Sequence, residues 1–347
     1  MNSERDFWPS TGLQYLSSCP VCGSAQRVIL HAGLQDSLYC APGKWDMHAC
    51  QNCGSGYLNP RPSAETIGIA YGDYHTHQEP SPAPAAELPG FRRFRRALAN
   101  GYKNWRFGTA LQPSSKIGIA AAFLLPIQRS ILDRQYRHLP GRVQPGRVLD
   151  IGFGDGGFLE NALSAGWSVV GTDSDPTVVQ QARLRGLDVR LGTIDGVSGP
   201  FDVITMSHVL EHLHDPVSVL RNCYELLRPG GTLWVETPNI DAIGHRRFGA
   251  GWRALEPPRH LVLFNRKSLE RAMLGAGFTE VRDLPQPSPI YGMYSMSRAI
   301  SEASDPTASA GVGLSMRLEM SVVRLLEWMM KSRREFLAVT ARKPSEI

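Results

Sequence analysis

The chain has 347 residues, 42% of them hydrophobic, and a formal net charge of +5. That length suits one large core with a smaller module beside it, and so mild a charge does not call for a nucleic-acid partner. Met1 to Asp6 lack the apolar core of a secretory signal. The longest apolar run, Ile117 to Ile127, is broken by Pro126 and too short to span a bilayer, so a cytoplasmic location is expected.

Four of the six cysteines form two knuckles, Cys19-Pro20-Val21-Cys22-Gly23 and Cys50-Gln51-Asn52-Cys53-Gly54. Paired thiolates two residues apart can grip one tetrahedral Zn2+, and the glycine after each pair permits the tight turn around it. The spacing predicts a zinc-ribbon module over residues 1–75 with Cys19, Cys22, Cys50 and Cys53 as ligands. Cys40 or His48 could replace one of them, and Cys223 belongs to the core. A redox dithiol or structural disulfides are the competing uses, disfavoured in a cytosolic chain. Four thiolates leave zinc no open position, so the ion is structural.

The Pro/Ala-rich run Pro80 to Gly90 reads as a semi-stiff linker, assigned to residues 76–90. After it, Phe91, Phe94, Leu98, Tyr102 and Trp105 recur every three or four residues, with Arg92, Arg93, Arg95 and Arg96 largely on other faces. This pattern predicts an amphipathic helix opening a segment over residues 91–135, either a lid packed on the protein's own core or a docking element for an anionic membrane or a lipid-like substrate.

Val148 to Phe158 reads as a buried strand, a glycine turn and a helix start, where Gly152 and Gly154 let a ligand approach the backbone. The spacing of Gly152, Gly154 and Gly157 alone also fits a dinucleotide site. Asp150 decides between them: a carboxylate there opposes a pyrophosphate and suits the ammonium and sulfonium of S-adenosyl-L-methionine. Trp167 to Asp173 predicts the next parallel strand, ending in Asp173 about 20 residues after the turn, placed to accept both ribose hydroxyls.

Further along come Phe201 to Met206, then Ser207-His208-Val209-Leu210-Glu211-His212, then a helix closed by Leu227-Arg228-Pro229-Gly230-Gly231 before the strand Thr232 to Glu236. With Glu256 to Phe264 and Leu274-Gly275-Ala276-Gly277-Phe278, this succession resembles the class I S-adenosylmethionine-dependent methyltransferases, in the subgroup of ubiquinone-type O-methyltransferases and sugar C-methyltransferases. The resemblance covers roughly residues 130 to 343. It implies an α/β fold with a doubly wound seven-stranded Rossmann-like sheet, the catalytic domain being residues 136–347. It also implies cofactor contacts from Ser207 and His208 and, at the adenine end, from Thr193, Ile194 and Asp195.

Residues 285–315 are expected to be an irregular connection shaping an acceptor pocket, with Met293, Met296, Met316 and Met320 as an adaptable apolar wall. Met316 to Met330 predicts a helix with Leu318, Val322, Leu325, Leu326 and Met329 as its apolar repeat, and Glu335 to Lys343 a last antiparallel strand.

Methyl transfer from a sulfonium needs alignment and exclusion of water more than side-chain chemistry. An oxygen or carbon acceptor must still lose a proton, and the candidate catalytic residues are His260, His212 and Glu211. The expected function is methylation of a small, hydrophobic acceptor on oxygen or carbon. The rivals are an RNA methyltransferase reading substrate through its ribbon, an NAD-dependent oxidoreductase, and a catalytically silent cofactor sensor.

Overall fold

The computed structural model describes residues 7–72, 90–141, 145–285, 288–306 and 313–345. All of the expected linker except Gly90 lies outside the described residues. The N-terminal part contains β1 (Leu13–Gln14), β2 (Arg27–Leu34), β3 (Trp45–Cys50), β4 (Gly56–Leu58) and β5 (Arg61–Pro62). Three helices follow: α1 (Gly90–Phe107), α2 (Ile117–Leu124) and α3 (Pro126–Gln135). Of the apolar stripe predicted on α1, Tyr102 is buried while Phe91, Phe94 and Trp105 are exposed.

Next come β6 (Arg147–Ile151), α4 (Gly157–Ser164), β7 (Ser168–Asp173), α5 (Pro176–Leu184), β8 (Val189–Leu191) and β9 (Phe201–Ser207). The alternation continues with α6 (Pro216–Leu226), β10 (Leu227–Pro238), α7 (Ile243–Phe248), β11 (Val262–Leu263), α8 (Arg266–Gly275) and β12 (Thr279–Asp283), then α9 (Ile290–Ser301), α10 (Leu314–Met329) and β13 (Phe336–Arg342). Asp175 and Asp215 cap α5 and α6 through their side chains, each with proline at the first helical position, so local chemistry starts both helices where the strands end.

Seven strands form one sheet in the order β12, β13, β10, β9, β6, β7, β8. β8 through β10 are mutually parallel, and β13 runs antiparallel to both β10 and β12. Such a sheet is covered on both faces, which is why β6 and β9 are buried along nearly their whole length rather than at alternate positions. The chain reverses its winding direction between β6 and β9, so their carboxyl ends open a crevice where ligands of this fold class bind.

The expected module boundary near residue 75 does not coincide with a boundary in packing. The four-stranded sheet β2, β3, β4, β11 takes its last strand from residues 262–263, far along in the C-terminal part of the chain. One apolar cluster runs without a break from Cys19, Val21 and Tyr57 through Leu261 and Phe264 to Leu233 and Val339.

Two expectations about the C-terminal part need correction. Residues 285–315 are not wholly irregular, because α9 occupies their centre, with Ile290, Met293, Tyr294 and Ser297 buried along one face. Proline, serine and glycine in the flanks hid this helical spacing. α10 buries Met316, Met320, Val323 and Glu327, whereas Leu318, Val322, Leu325 and Met329 face outward. Both faces of α10 are apolar, so periodicity alone could not choose between them.

Candidate functional site

At the carboxyl edge of the sheet, Gly152, Gly154 and Gly156 all have positive φ, with values of 65°, 57° and 78°. Glycine is needed at 152, since a Cβ there would lie 2.4 Å from Val209 Cγ2. The Gly154 N–H donates to Asp173 Oδ2 at 3.0 Å, and Asp173 Oδ1 accepts from the Asp175 N–H at 3.0 Å. The turn after β6 and the acid ending β7 are therefore one preformed unit. Thr193 and Asp195 hydrogen-bond to each other at 2.7 Å beyond β8, with Ile194 buried between them.

Asp150 is fully buried, and burial pushes its carboxyl above the ordinary range. Arg137 Nη1 donates to Asp150 Oδ1 and, at 2.8 Å, to Thr205 Oγ1. The same guanidinium stacks over Phe158 at 4.2 Å and Trp234 at 5.4 Å. Arg134, one turn earlier, grips Glu236 at the end of β10 through two donors, at 2.6 and 3.2 Å. Sequence reasoning overlooked both arginines. Their three-residue spacing just before β6 was the available signal, and it carries no chemistry until tertiary structure brings acids to it.

Beside these groups lies a cavity of about 510 Å³ whose walls include Ile131, Arg137, Phe158, Ser207, Trp234 and Glu236. Asp150 Oδ2 and Trp234 Nε1 are buried polar atoms without a hydrogen-bond partner. A native interior seldom leaves such atoms unpaired. An unpaired carboxyl oxygen and an unpaired indole N–H are groups that the amino, carboxylate or ribose groups of an amino-acid nucleoside such as S-adenosylmethionine can satisfy.

His208 follows β9 with φ of 55°. Its Nδ1 lies 3.2 Å from Glu211 Oε1 and its Nε2 lies 3.7 Å from Glu236 Oε1. Burial alone would lower its pKa, but the hydrogen bonds to Glu211 and Glu236 outweigh that and raise it to about 9. Glu236 is held at about 2, because His208 and Arg134 overcome its desolvation. The expected cofactor contact is thus an imidazolium bridging two buried carboxylates at neutral pH.

The three candidate catalytic groups converge. One ligand atom each from Glu211, His212 and His260 lies within 4.8 Å of the others, an arrangement that could also hold a metal ion. The His212 and His260 rings are 4.7 Å apart. His260 Nδ1 is 2.7 Å from the Ala254 carbonyl, so this nitrogen donates and Nε2 keeps its lone pair. Burial lowers the His260 pKa to about 4, which keeps the ring neutral. Glu211 Oε2 accepts from the Thr237 hydroxyl at 3.0 Å.

The N-terminal part reaches this cluster directly. The Tyr71 hydroxyl and the Arg259 carbonyl lie 3.0 and 3.1 Å from His212 Nδ1. Arg259 is fully buried next to His260 and donates twice to Asp36, at 2.8 Å each, as well as to Glu256 at 3.0 Å and the Ala70 carbonyl at 2.9 Å. Neither Tyr71 nor Asp36 carried a recognisable motif, and Arg259 lay in the segment Glu256 to Phe264 without a role of its own.

The sulfurs of Cys19, Cys22, Cys50 and Cys53 also lie within 4.8 Å of one another, with Cys19 to Cys53 at 3.7 Å and Cys22 to Cys50 at 3.5 Å. Four sulfurs around one zinc at bonds of about 2.3 Å sit about 3.8 Å apart, so the donor set fits the ion. Both knuckles close alike, Gly23 N–H to Cys19 O and Gly54 N–H to Cys50 O at 2.9 Å. Hydrogen bonding from Cys53 lowers the Cys19 thiol below the usual thiol range. Cys40 is exposed, and His48 Nε2 lies 3.1 Å from the Asn59 carbonyl; neither joins the cluster.

Residues 127–282 match a family model described as a methyltransferase domain. Over that stretch the chain is similar to a methyltransferase domain. Among curated proteins it is similar to the ubiquinone biosynthesis O-methyltransferase of Xanthomonas oryzae pv. oryzae, with 38% identity over 103 residues, 27% of this chain and 43% of that protein. The protein of the same name from Xanthomonas campestris pv. campestris is 39% identical over 112 residues, covering 29% of this chain and 45% of that one. The chain thus spans less than half the length of these relatives. Similar solved structures include an S-adenosylmethionine-dependent methyltransferase from Archaeoglobus fulgidus (19% identity, 65% of this chain, 99% of that one, TM-score 0.43). Another, from Mesorhizobium loti, has 19% identity, covers 60% and 96%, and gives a TM-score of 0.41.

Proposed function

We propose that this protein transfers a methyl group from S-adenosylmethionine to an oxygen or carbon of a small, largely apolar acceptor. The observation that carries the reading is the joining of the glycine turn to Asp173 through the Gly154 N–H, near a cavity walled by Trp234 and Glu236, with an orphan donor at Trp234 Nε1 and an orphan atom at Asp150 Oδ2, buried behind that wall. When bound, the cofactor supplies a methyl carbon activated by the adjacent sulfonium. Asp173 holds the ribose, Asp150 and Arg137 face the amino-acid end, Ser207 and His208 line the approach, and Thr193 and Asp195 flank the adenine. Phe158 and Trp234 exclude water, which matters because alignment and desolvation are most of what the protein must contribute.

The acceptor loses a proton to the His212–His260 pair, with Glu211 steadying the charge through His208 and Thr237. His260, neutral and with Nε2 unprotonated, is available to accept it. The name of the Xanthomonas relatives points to a ring hydroxyl on a lipid-like acceptor as the first class to try. Zn2+ bound by Cys19, Cys22, Cys50 and Cys53 has a structural role, holding the β2–β4 sheet against the segment that carries His260.

The test is incubation of the full chain with methyl-labelled cofactor and a panel of alkylated catechols, followed by mass analysis. Label on a ring oxygen, lost in His260→Ala or His212→Ala, supports the reading. Stabilisation by NAD and none by S-adenosylhomocysteine in thermal unfolding would overturn it.

A further inference from the structure

We infer that the outer surface of α1, α2 and α3 docks on an anionic lipid bilayer. Residues 88–132 contain eight Lys or Arg and no Asp or Glu, in a chain whose net charge is only +5. The same segment exposes large apolar side chains: Phe91 is 72% exposed and Leu124 80%, and Ile117, Phe123, Leu125 and Ile127 are exposed with them. Soluble surfaces scatter such side chains singly, and their clustering marks an interaction site.

The helices are locked together in a way that displays these groups. Ser115 N–H donates to the Ala97 carbonyl at 2.9 Å. Cβ atoms added at Gly101 or Gly118 would lie within 2 Å of the Ser115 or Leu98 carbonyl oxygens. Further along, Phe123 meets Trp105 edge-on at 5.6 Å. α2 therefore runs beside α1 from Ala97 to Trp105, its backbone pressed against α1 at the two glycines, and its apolar tip emerges at residues 123–127. Arg129 sits over the Phe123 ring at 5.3 Å, and Arg95 over Phe91 at 5.9 Å, so cations flank the exposed rings at both ends.

Charge complementarity selects the occupant. Basic side chains beside aromatic and aliphatic anchors suit the headgroup boundary of an anionic leaflet, where the two contributions add. α10 offers a comparable exposed apolar row, Leu314, Leu318, Val322 and Leu325, but its charged residues are of both signs, Arg317 and Arg324 against Glu319 and Glu327. It lacks the bias that would choose a bilayer. α3 also connects the surface to the chemistry, since Ile131 and Arg134 line the cavity beside Trp234.

The experiment is cosedimentation of the full chain with vesicles of phosphatidylglycerol and phosphatidylcholine in equal parts, and with vesicles of phosphatidylcholine alone. Binding is expected to the first and much less to the second, weakening as salt screens the surface. Each basic side chain near such a leaflet contributes about fivefold in partitioning, so the triple variant Arg92→Glu, Arg93→Glu, Arg95→Glu should bind about a hundredfold or more weaker. Leu124→Asp should lose about tenfold, with S-adenosylhomocysteine affinity unchanged as the check on folding; it keeps the test alive if the triple variant unfolds. Leu318→Asp on α10 should bind like the parent. Equal binding to both vesicles, no binding to either, undiminished binding by Leu124→Asp, or a concentration-dependent dimer dissolved by Leu124→Asp would each overturn the proposal.

Discussion

The carboxyl edge of the parallel sheet and the seam between the N-terminal sheet and residues 254–264 solve different problems by different means. At the edge, groups close in sequence do most of the work: Asp150, Gly152 and Gly154 share one strand and turn, and Asp173 ends the next strand. At the seam every important contact is distant, with Asp36 on Arg259, Tyr71 on His212, and Asn265 Nδ2 on the Gly54 carbonyl at 3.3 Å. The proposed cofactor side is built around one local strand and turn, with Arg134–Glu236 and Thr205–Asp150 added from a distance. The proposed acceptor side exists only once two remote segments have been pressed together, which would make it the place for substrate choice to vary.

This contrast can be broken most severely by removing the proposed zinc. Cys50→Ser, or exhaustive chelation, should reduce zinc from about one ion per chain to a small fraction by elemental analysis, and should unfold the N-terminal sheet because metal binding and folding are linked there. If the seam depends on that sheet, His212 loses Tyr71 and methyl transfer falls at least tenfold, while S-adenosylhomocysteine still binds within about threefold. Equal loss of both would merge the two regions into one cooperative unit.

Arg259→Ala tests the seam without touching the metal. It leaves buried Asp36 with only the N–H groups of Leu38, Tyr39 and Ala41 as partners and Glu256 with Arg253, and breaking such a buried pair costs up to about 3–5 kcal/mol. Urea unfolding should register that loss, with zinc content unchanged. On the other side, Asp173→Ala removes a charged acceptor from the proposed ribose contact, worth about 1.5–3 kcal/mol, or about tenfold to a hundredfold in S-adenosylhomocysteine affinity by calorimetry. Preserved affinity would detach Asp173 from the cofactor.

The smallest effect is in pH. His208 is raised from 6.5 to about 9, so its contribution is complete below 6.5 and disappears as pH rises through about 9. His260 is depressed from 6.5 to about 4, so its neutral form stabilises above 6.5 and that stability is lost as pH falls toward 4. These two groups therefore add an alkaline decline above 6.5 and an acidic decline below it to the thermal midpoint. His208→Gln should flatten the alkaline limb and His260→Gln the acidic one. A profile indifferent to both substitutions would remove the two histidines from the electrostatic account.

The residues explain how far the sequence could be read. Strands β6, β7 and β9 were legible because parallel strands buried on both faces are continuous apolar runs, and Gly152 because a positive φ admits few other residues. The four cysteines were legible because a metal needs a fixed local spacing. α9 was hidden by the Pro, Ser and Gly around it, and α10 presented two apolar faces between which only packing could choose. Arg134 and Arg137 passed unnoticed because an arginine before a strand has no meaning until Glu236 and Asp150 stand opposite it.

By itself, then, the order of residues determined the sheet, the glycine turn and the sulfur cluster, since each depends on interactions within a few positions or on burial of contiguous apolar stretches. Only the folded chain decided that Asp36, Ala70 and Tyr71 would close around Arg259 and His212. Those contacts span more than a hundred and forty residues of sequence, and their energy comes from pairing charges and polar groups that water would otherwise solvate, a gain that no local pattern records.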